Sequence, residues 1–226
     1  MTAVSPNINS KFKPEFIQPG LISKILINPW FWVLFILFVF SYPIYRSLNR
    51  ILPDDLPIIN QIPEYRMIDE NGNSFGSTDL TGKVYLANFM FTRCPTVCPK
   101  MLKSFEKIQK RIRSTGHKVQ IVTFSVDPLY DQPQVLFKKA REHHANPHVW
   151  HFLTSDSEQE LFKLYQDGFK VPVAKAENLM EFAHSEKIVL VDQLNRIRGY
   201  YAMDENSINK LMIDVGLLIN RPLRKE

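Results

Sequence analysis

Hydrophobic residues along this 226-residue chain follow three patterns. From Ile25 to Tyr45 they run almost unbroken, and no charged residue interrupts them. Two shorter runs, Val84–Phe91 (VYLANFMF) and Val119–Val126 (VQIVTFSV), are rich in branched and aromatic side chains and read as strands buried on both faces. Elsewhere apolar positions recur at helical spacing. Leu102, Phe105, Ile108 and Ile112 form one such stripe; Ile208, Leu211, Met212, Val215 and Leu218 form another.

Turn and cap signals order the remaining segments. Tyr65–Ile68 and Ser74-Phe75, joined at Asn71-Gly72, predict an opening hairpin. A helix over Met101–Arg113 ends near Gly116, and Pro133–His144 predicts another helix. Trp150–Leu153 is a short strand. Ser155-x-x-Glu158 has the form of a capping box for a helix to Gln166, stopped by Gly168. Lys187–Val191 and Arg196–Tyr201 form a late hairpin, and Asp204–Asn220 is a final helix. Strands alternating with helices, followed by a hairpin, make an α/β fold with a mixed β-sheet flanked by helices.

The charge-free stretch 25–45 reaches the roughly 20 residues that a membrane span requires. Trp30, Trp32, Tyr42 and Tyr45 resemble interfacial aromatic belts, and no small-residue cleavage site follows. The chain therefore divides into a basic arm (1–24), a transmembrane anchor (25–45), a linker (46–59) containing Pro53-Asp54-Asp55-Leu56-Pro57, and one domain over 60–226. Lys11, Lys13 and Lys24 before the span outnumber Arg46 and Arg50 after it. That bias places the N-terminus inside and the domain in the periplasm or an equivalent extracytoplasmic space. Of the 28 Lys/Arg and 23 Asp/Glu, residues 1–50 hold five and one, leaving 23 and 22 in the rest. A domain so close to neutral gives no sign of a nucleic-acid surface.

The two cysteines of the chain lie in Phe91-Thr92-Arg93-Cys94-Pro95-Thr96-Val97-Cys98-Pro99, directly after the first strand. They can form a local dithiol, a disulfide or part of a soft-metal site. Pro95 and Pro99 disfavour helical dihedrals at Cys94 and Cys98, which puts both cysteines on a loop. Pro99 then opens the helix and Cys98 sits at or near its N-cap, where the helix dipole favours a thiolate. One residue more than a C-x-x-C motif widens the loop. A relaxed disulfide needs Cβ atoms roughly 3.5–4.5 Å apart, whereas metal–thiolate bonds of about 2.3 Å tolerate a wider separation. The spacing leans towards metal and leaves the disulfide open.

The strand–cysteine loop–helix order resembles a thioredoxin-like fold. The motifs resemble more specifically the Sco/SenC family of membrane-anchored copper proteins of cytochrome c oxidase assembly. The matching stretches are Leu80-Thr81-Gly82-Lys83-Val84, the cysteine segment, Ser125-Val126-Asp127-Pro128, Trp150-His151-Phe152-Leu153-Thr154 and Phe182-Ala183-His184-Ser185. The resemblance implies copper, Cu(I) or Cu(II), held by Cys94, Cys98 and His184, with Asp127 beside the site. Ala183 departs from the family, which often has Asp there. Two thiolates and an imidazole are a soft donor set suited to copper. The implied partners are the copper-bearing subunit of cytochrome c oxidase, a periplasmic copper donor or thiol reductant, and the membrane.

The resemblance implies a copper chaperone for the oxidase Cu-A centre rather than an enzyme. A thiol–disulfide oxidoreductase that reduces the Cu-A cysteines before metallation is the alternative, because both roles use one dithiol. A thiol peroxidase fits less well: the peroxiredoxin cysteine lies three residues after its Thr, and Cys94 lies two after Thr92. Asp127 has a plainer reading as a turn cap before Pro128. His143, His144 and His148 are dense enough to suggest a second metal cluster, but Pro147 breaks the helical spacing and the stretch reads as a solvated helix end. Met90 and Met101 flank the cysteines and read as core residues.

Overall fold

The computed structural model describes residues 26, 28–48, 55–171 and 187–220. The chain separates into two units, Met1–Asp54 and Asp55–Glu226.

In the first unit α1 spans Pro29–Leu48. Pro29 suits the first turn because no intrahelical N–H is needed there, and the Asn28 side chain accepts the Trp30 N–H at 3.0 Å. Within α1, Pro29–Ser47 is long and apolar enough to cross a membrane. Its 19 residues span about 28 Å at 1.5 Å per residue, close to the roughly 30 Å of a hydrocarbon core. The helix lies a few residues later than the 25–45 stretch marked by hydropathy.

The second unit is built on one eight-stranded mixed sheet in the order β1-β8-β7-β4-β5-β6-β2-β3. Its strands are β1 (Asn60–Gln61), β2 (Arg66–Asp69), β3 (Ser74–Gly76), β4 (Val84–Met90), β5 (Val119–Ser125), β6 (Trp150–Thr154), β7 (Lys187–Val191) and β8 (Arg196–Ala202). The two apolar runs became β4 and β5, buried at every position and paired in parallel. β6 extends the parallel core, whereas β7 runs antiparallel to β4. The helices are α2 (Val97–Arg111), α3 (Pro133–Glu142), α4 (Glu158–Lys163, continued by a π turn over Leu164–Gly168) and α5 (Glu205–Asn220).

Alternation along the strands sends neighbouring side chains to opposite faces. On one face Phe89 and Phe124 stack at 5.4 Å and meet Tyr165 and Phe169 from the segment after α4. On the other, Trp150 donates to Thr123 Oγ1 at 2.8 Å and its ring lies 5.9 Å from Phe105 of α2. Helices therefore cover both faces. α2 is tied to α3 by His143–Glu106 at 2.7 Å and to α5 by Arg111–Asn209 at 2.9 Å.

Several local expectations shift by a residue or two. Ser157, not Ser155, caps α4 by accepting the Glu160 N–H at 3.3 Å, while Ser155 accepts the Ser157 N–H at 3.1 Å. In the opening hairpin, Asp69 Oδ1 accepts the Asn71 and Asn73 N–H groups, and Gly72 takes the positive φ that the turn demands. The two-residue strand β1 was not foreseen. It pairs with β8 at the sheet edge, and Arg198 beside it holds both Asp192, at 2.9 Å, and the Leu56 carbonyl. The stretch leading into the domain is thus fastened before the first strand begins.

His151 is half-buried against Phe75, with ring centroids 4.4 Å apart, and contacts Gln120 at 3.2 Å. Burial pushes its pKa down to about 4 from 6.5. The unfolded chain takes up this proton near pH 6.5 and the folded chain only near pH 4, so stability should fall as pH drops through that window. Chemical denaturation at a series of pH values checks this, and His151→Gln should flatten the dependence. An unchanged slope in the variant would assign the pH effect to other groups.

Candidate two-cysteine centre

The centre forms where β4 and β5 end side by side. The Val126 N–H donates to the Met90 carbonyl at 2.8 Å, which extends the parallel ladder to the last residue of β4. The chain then turns so that the Cys94 N–H reaches the Phe91 carbonyl at 3.2 Å. Thr96 is the N-cap of α2, and the helix begins at Val97. Cys98 is therefore the second helical residue, near the N-cap as expected but inside the helix and not on the loop that its following proline suggested. Pro99 is tolerated one position further in because the first-turn N–H groups have no intrahelical acceptor. The Cys98 N–H is satisfied by Cys94 Sγ at 3.4 Å.

Both thiols are free, and the two residues are only 4% and 5% exposed. Their environments push them apart. Burial raises the Cys94 pKa, but donation from the backbone N–H groups of Cys98, Thr96 and Val97 and from the Cys98 thiol outweighs it, leaving Cys94 below the ordinary thiol range. At Cys98 burial, the neighbouring Cys94 and the charge of Asp131 push the thiol up to about 12. The loop thus offers one activated sulfur and one held protonated.

Two carboxylates from the β5–α3 connection fix the loop. Asp127 pairs with exposed Arg93, Nη2 to Oδ2 at 2.5 Å, and Arg93 also lies over the Tyr130 ring at 4.5 Å. The expected residue beside the site thus acts through the arginine next to Cys94. Asp131, fully buried, accepts from the Thr92 N–H at 3.0 Å, from the Thr92 hydroxyl and from Ser125 Oγ at 2.6 Å. The Tyr165 hydroxyl donates to the Ser125 carbonyl at 2.7 Å from the opposite face. Asp131 and Tyr165 had not been singled out, and Thr92, Arg93 and Ser125 had entered only within matching stretches or, for Thr92, in the peroxiredoxin comparison, without a role in holding the loop. A second aspartate four residues after Asp127 was the signal available for Asp131.

Among the described residues no group of three or more His, Cys, Asp and Glu side chains converges to hold a metal ion. Two thiols are therefore the soft donors in view, and the Asp131 carboxylate is occupied by its own hydrogen bonds. His184 lies outside the described residues. β7 runs antiparallel to β4 in a register pairing Ala87 with Val189, so Lys187 at its start lies at the cysteine edge of the sheet. His143, His144 and His148 do not converge: His143 bonds Glu106, and His148 faces His117 with ring centroids 6.3 Å apart. Met90 and Met101 are buried in the core.

Residues 58–216 match the model of the SCO1/SenC family. The SCO1 protein homolog of Bacillus subtilis is 29% identical over 160 residues, covering 70% of this chain and 83% of its own. The fold superposes with a TM-score of 0.64 and 27% identity on BsSco, a member of the Sco family of cytochrome c oxidase assembly proteins in which a disulfide switch was identified; 76% of this chain and 99% of that one are covered. Yeast Sco1, solved with copper bound, gives a TM-score of 0.55 at 21% identity over 69% of this chain and 92% of its own, a likeness of fold alone. The thioredoxin-like architecture expected from the motifs is the one these structures share.

Cys94 should alkylate first, with a rate that rises with pH through a midpoint below that of a free thiol, while Cys98 stays protected into strongly alkaline solution. Mass spectrometry of iodoacetamide-treated protein reads both. Asp131→Ala strands the Thr92 and Ser125 donors and should cost at least about 2 kcal/mol of stability. It should also raise Cys98 alkylation, since the loop loses its inner anchor. Wild-type protection of Cys98 in that variant would contradict the assignment.

Proposed function

The chain belongs to the SCO1/SenC family, and we propose that it is a membrane-anchored copper-binding protein that supports assembly of the Cu-A centre of cytochrome c oxidase. The observation that carries this reading is the pair of free thiols, one in the turn after β4 and one in the first turn of α2, at the carboxyl ends of β4 and β5, the edge where open α/β sheets bind ligands. His184, three residues before Lys187 in sequence, supplies the third donor. Two thiolates and one imidazole suit copper, and three ligands from two chain segments let the ion enter and leave.

Helix α1 anchors the protein, with the cysteine domain on the extracytoplasmic side, as the basic arm before the span argues. A donor so tethered works at the membrane face where an oxidase copper domain protrudes. Arg93, Asp127 and Asp131 hold the cysteine loop in place, and the deep burial of Cys98 limits water at the sulfur pair.

The unequal thiols favour one second reading, thiol–disulfide exchange. The Cys94 thiolate attacks a partner disulfide and one partner sulfur leaves as a thiol. Cys98 then resolves the mixed disulfide. Two electrons pass to the partner and the Cys94–Cys98 bond forms. The disulfide switch of BsSco is consistent with that chemistry.

Full-length protein purified without oxygen should bind one copper ion. Cys94→Ser and Cys98→Ser should each abolish binding, and His184→Ala should weaken it; unchanged copper stoichiometry in Cys94→Ser would sink the assignment.

Deleting the protein should lower cytochrome c oxidase activity. Added copper restores activity if the protein is a donor, whereas a small thiol restores it if the protein is a reductant. Oxidase activity at the normal level in the deletion strain under low copper would remove both readings.

A further inference from the structure

The charge of the soluble domain is segregated. Residues 97–118, α2 and the turn after it, carry seven Lys/Arg and one Glu. That Glu, Glu106, is engaged by His143. Residues 51–226 as a whole carry 23 basic and 22 acidic residues, so the remainder of the domain is net acidic. Part of the acidic excess lies on the opposite face of the sheet, where Asp156, Glu158, Glu160 and Asp167 flank or lie on α4 and its continuation.

Within α2, Lys100, Lys103, Lys107 and Lys110 are all exposed, and among the described residues none forms an ion pair. Steps of three and four residues keep them within an arc of about 80° and spread them over about 15 Å of helix. The stripe starts two residues after Cys98. At the same end the cysteine mouth carries exposed apolar groups, Leu129 at 79% and Tyr130 at 47%, with Arg93 stacked on the tyrosine.

We infer that this lysine stripe and the Leu129–Tyr130 rim form one docking surface for an acidic protein domain, which they guide onto the cysteine mouth. The inference rests on the function proposed above and adds the chemistry of the partner's face: carboxylates beside a small apolar centre. An aromatic and arginine centre with a charged flank is the make-up of a protein interface. A bilayer is the poorer occupant, because the apolar residues of α2, Met101, Leu102, Phe105 and Ile108, are all turned into the core and cannot insert. A mouth pressed on lipid would also be closed to the protein it serves. A domain basic on one helical face and acidic on the other is oriented before contact, which raises productive encounters by about 10-fold or more at low salt.

The test uses the reduced, copper-free full chain in nanodiscs of zwitterionic phosphatidylcholine. The probes are two synthetic peptides that each carry an activated mixed disulfide, one glutamate-rich and one lysine-rich. Attack by the Cys94 thiolate releases the chromophoric thiol of the probe. The acidic probe should react at least about tenfold faster at about 0.01 M salt, and the gap should close at about 1 M. In a variant with Lys100→Gln, Lys103→Gln, Lys107→Gln and Lys110→Gln the gap should be absent at low salt, while reaction with uncharged iodoacetamide matches wild type. A gap that persists in that variant overturns the inference. So does a wild-type acidic-probe rate that drops to the variant's level when phosphatidylglycerol is added to the nanodiscs, since lipid then occupies the stripe. A final arm replaces the peptides with the purified copper-bearing domain of the oxidase. Equal association of that domain with wild type and variant overturns the docking surface and leaves the function standing. A wild-type chain that discriminates the peptides but ignores the domain upholds the surface and removes the oxidase as partner.

Discussion

One buried carboxylate holds the reactive loop of this protein to its core. Asp131 is fully buried, and burial raises its pKa, so it keeps its place only because Thr92 and Ser125 supply donors on all sides. Leaving a carboxyl group without such partners in that position would cost more than the loop could return. Thr92 is two residues before Cys94, and Ser125 ends β5, so the same carboxylate sets both the path of the cysteine loop and its distance from the second parallel strand. The Arg93–Asp127 pair does the same from the solvent side, where it counts for orientation more than for stability. Cys94 is thus buried but turned towards backbone donors, whereas Cys98 is kept in the first turn of α2.

That arrangement needs a rigid floor, and the aromatic packing supplies it. Phe89, Phe124, Tyr165 and Phe169 lock one face of β4 and β5, and Tyr165 reaches through to the Ser125 carbonyl. The other face is closed by Trp150 and Phe105 under α2. Because β7 is antiparallel to β4, three chain segments meet at the edge where the cysteines lie. Arg198 and β1 fasten the opposite end of the sheet, near the start of the domain. The Arg198 bond to the Leu56 carbonyl fixes the first described residues of the domain against β8.

Much of this was legible in residue order. Continuous apolar runs gave the central strands, because strands buried on both faces have no polar side to show. The Asn71-Gly72 turn and the late hairpin followed from local turn chemistry. The cysteine segment and its companion motifs led to the family. What escaped depended on contacts distant in sequence. Thr92 and Asp131 are 39 residues apart, and no local pattern announces that hydrogen bond. The pre-proline bias at Cys98 was a local rule overruled by a helix that could begin earlier once Cys94 Sγ accepted its N–H. The Ser155 cap gave way to Ser157 for a like reason, since two serines in tandem can stagger their bonds. Overall neutrality concealed the polarity of the domain, because composition does not record which face a charge occupies. His184 was reached through the family motif and not through any contact among the described residues.

The central claim is that copper sits on the two sulfurs of this loop with an imidazole from the segment before β7. Copper K-edge X-ray absorption on the anaerobically loaded full chain tests it most directly. The account predicts a first shell of two sulfurs and one imidazole nitrogen, with the imidazole scattering lost in His184→Ala and both sulfurs retained. A first shell of nitrogen and oxygen alone would contradict it.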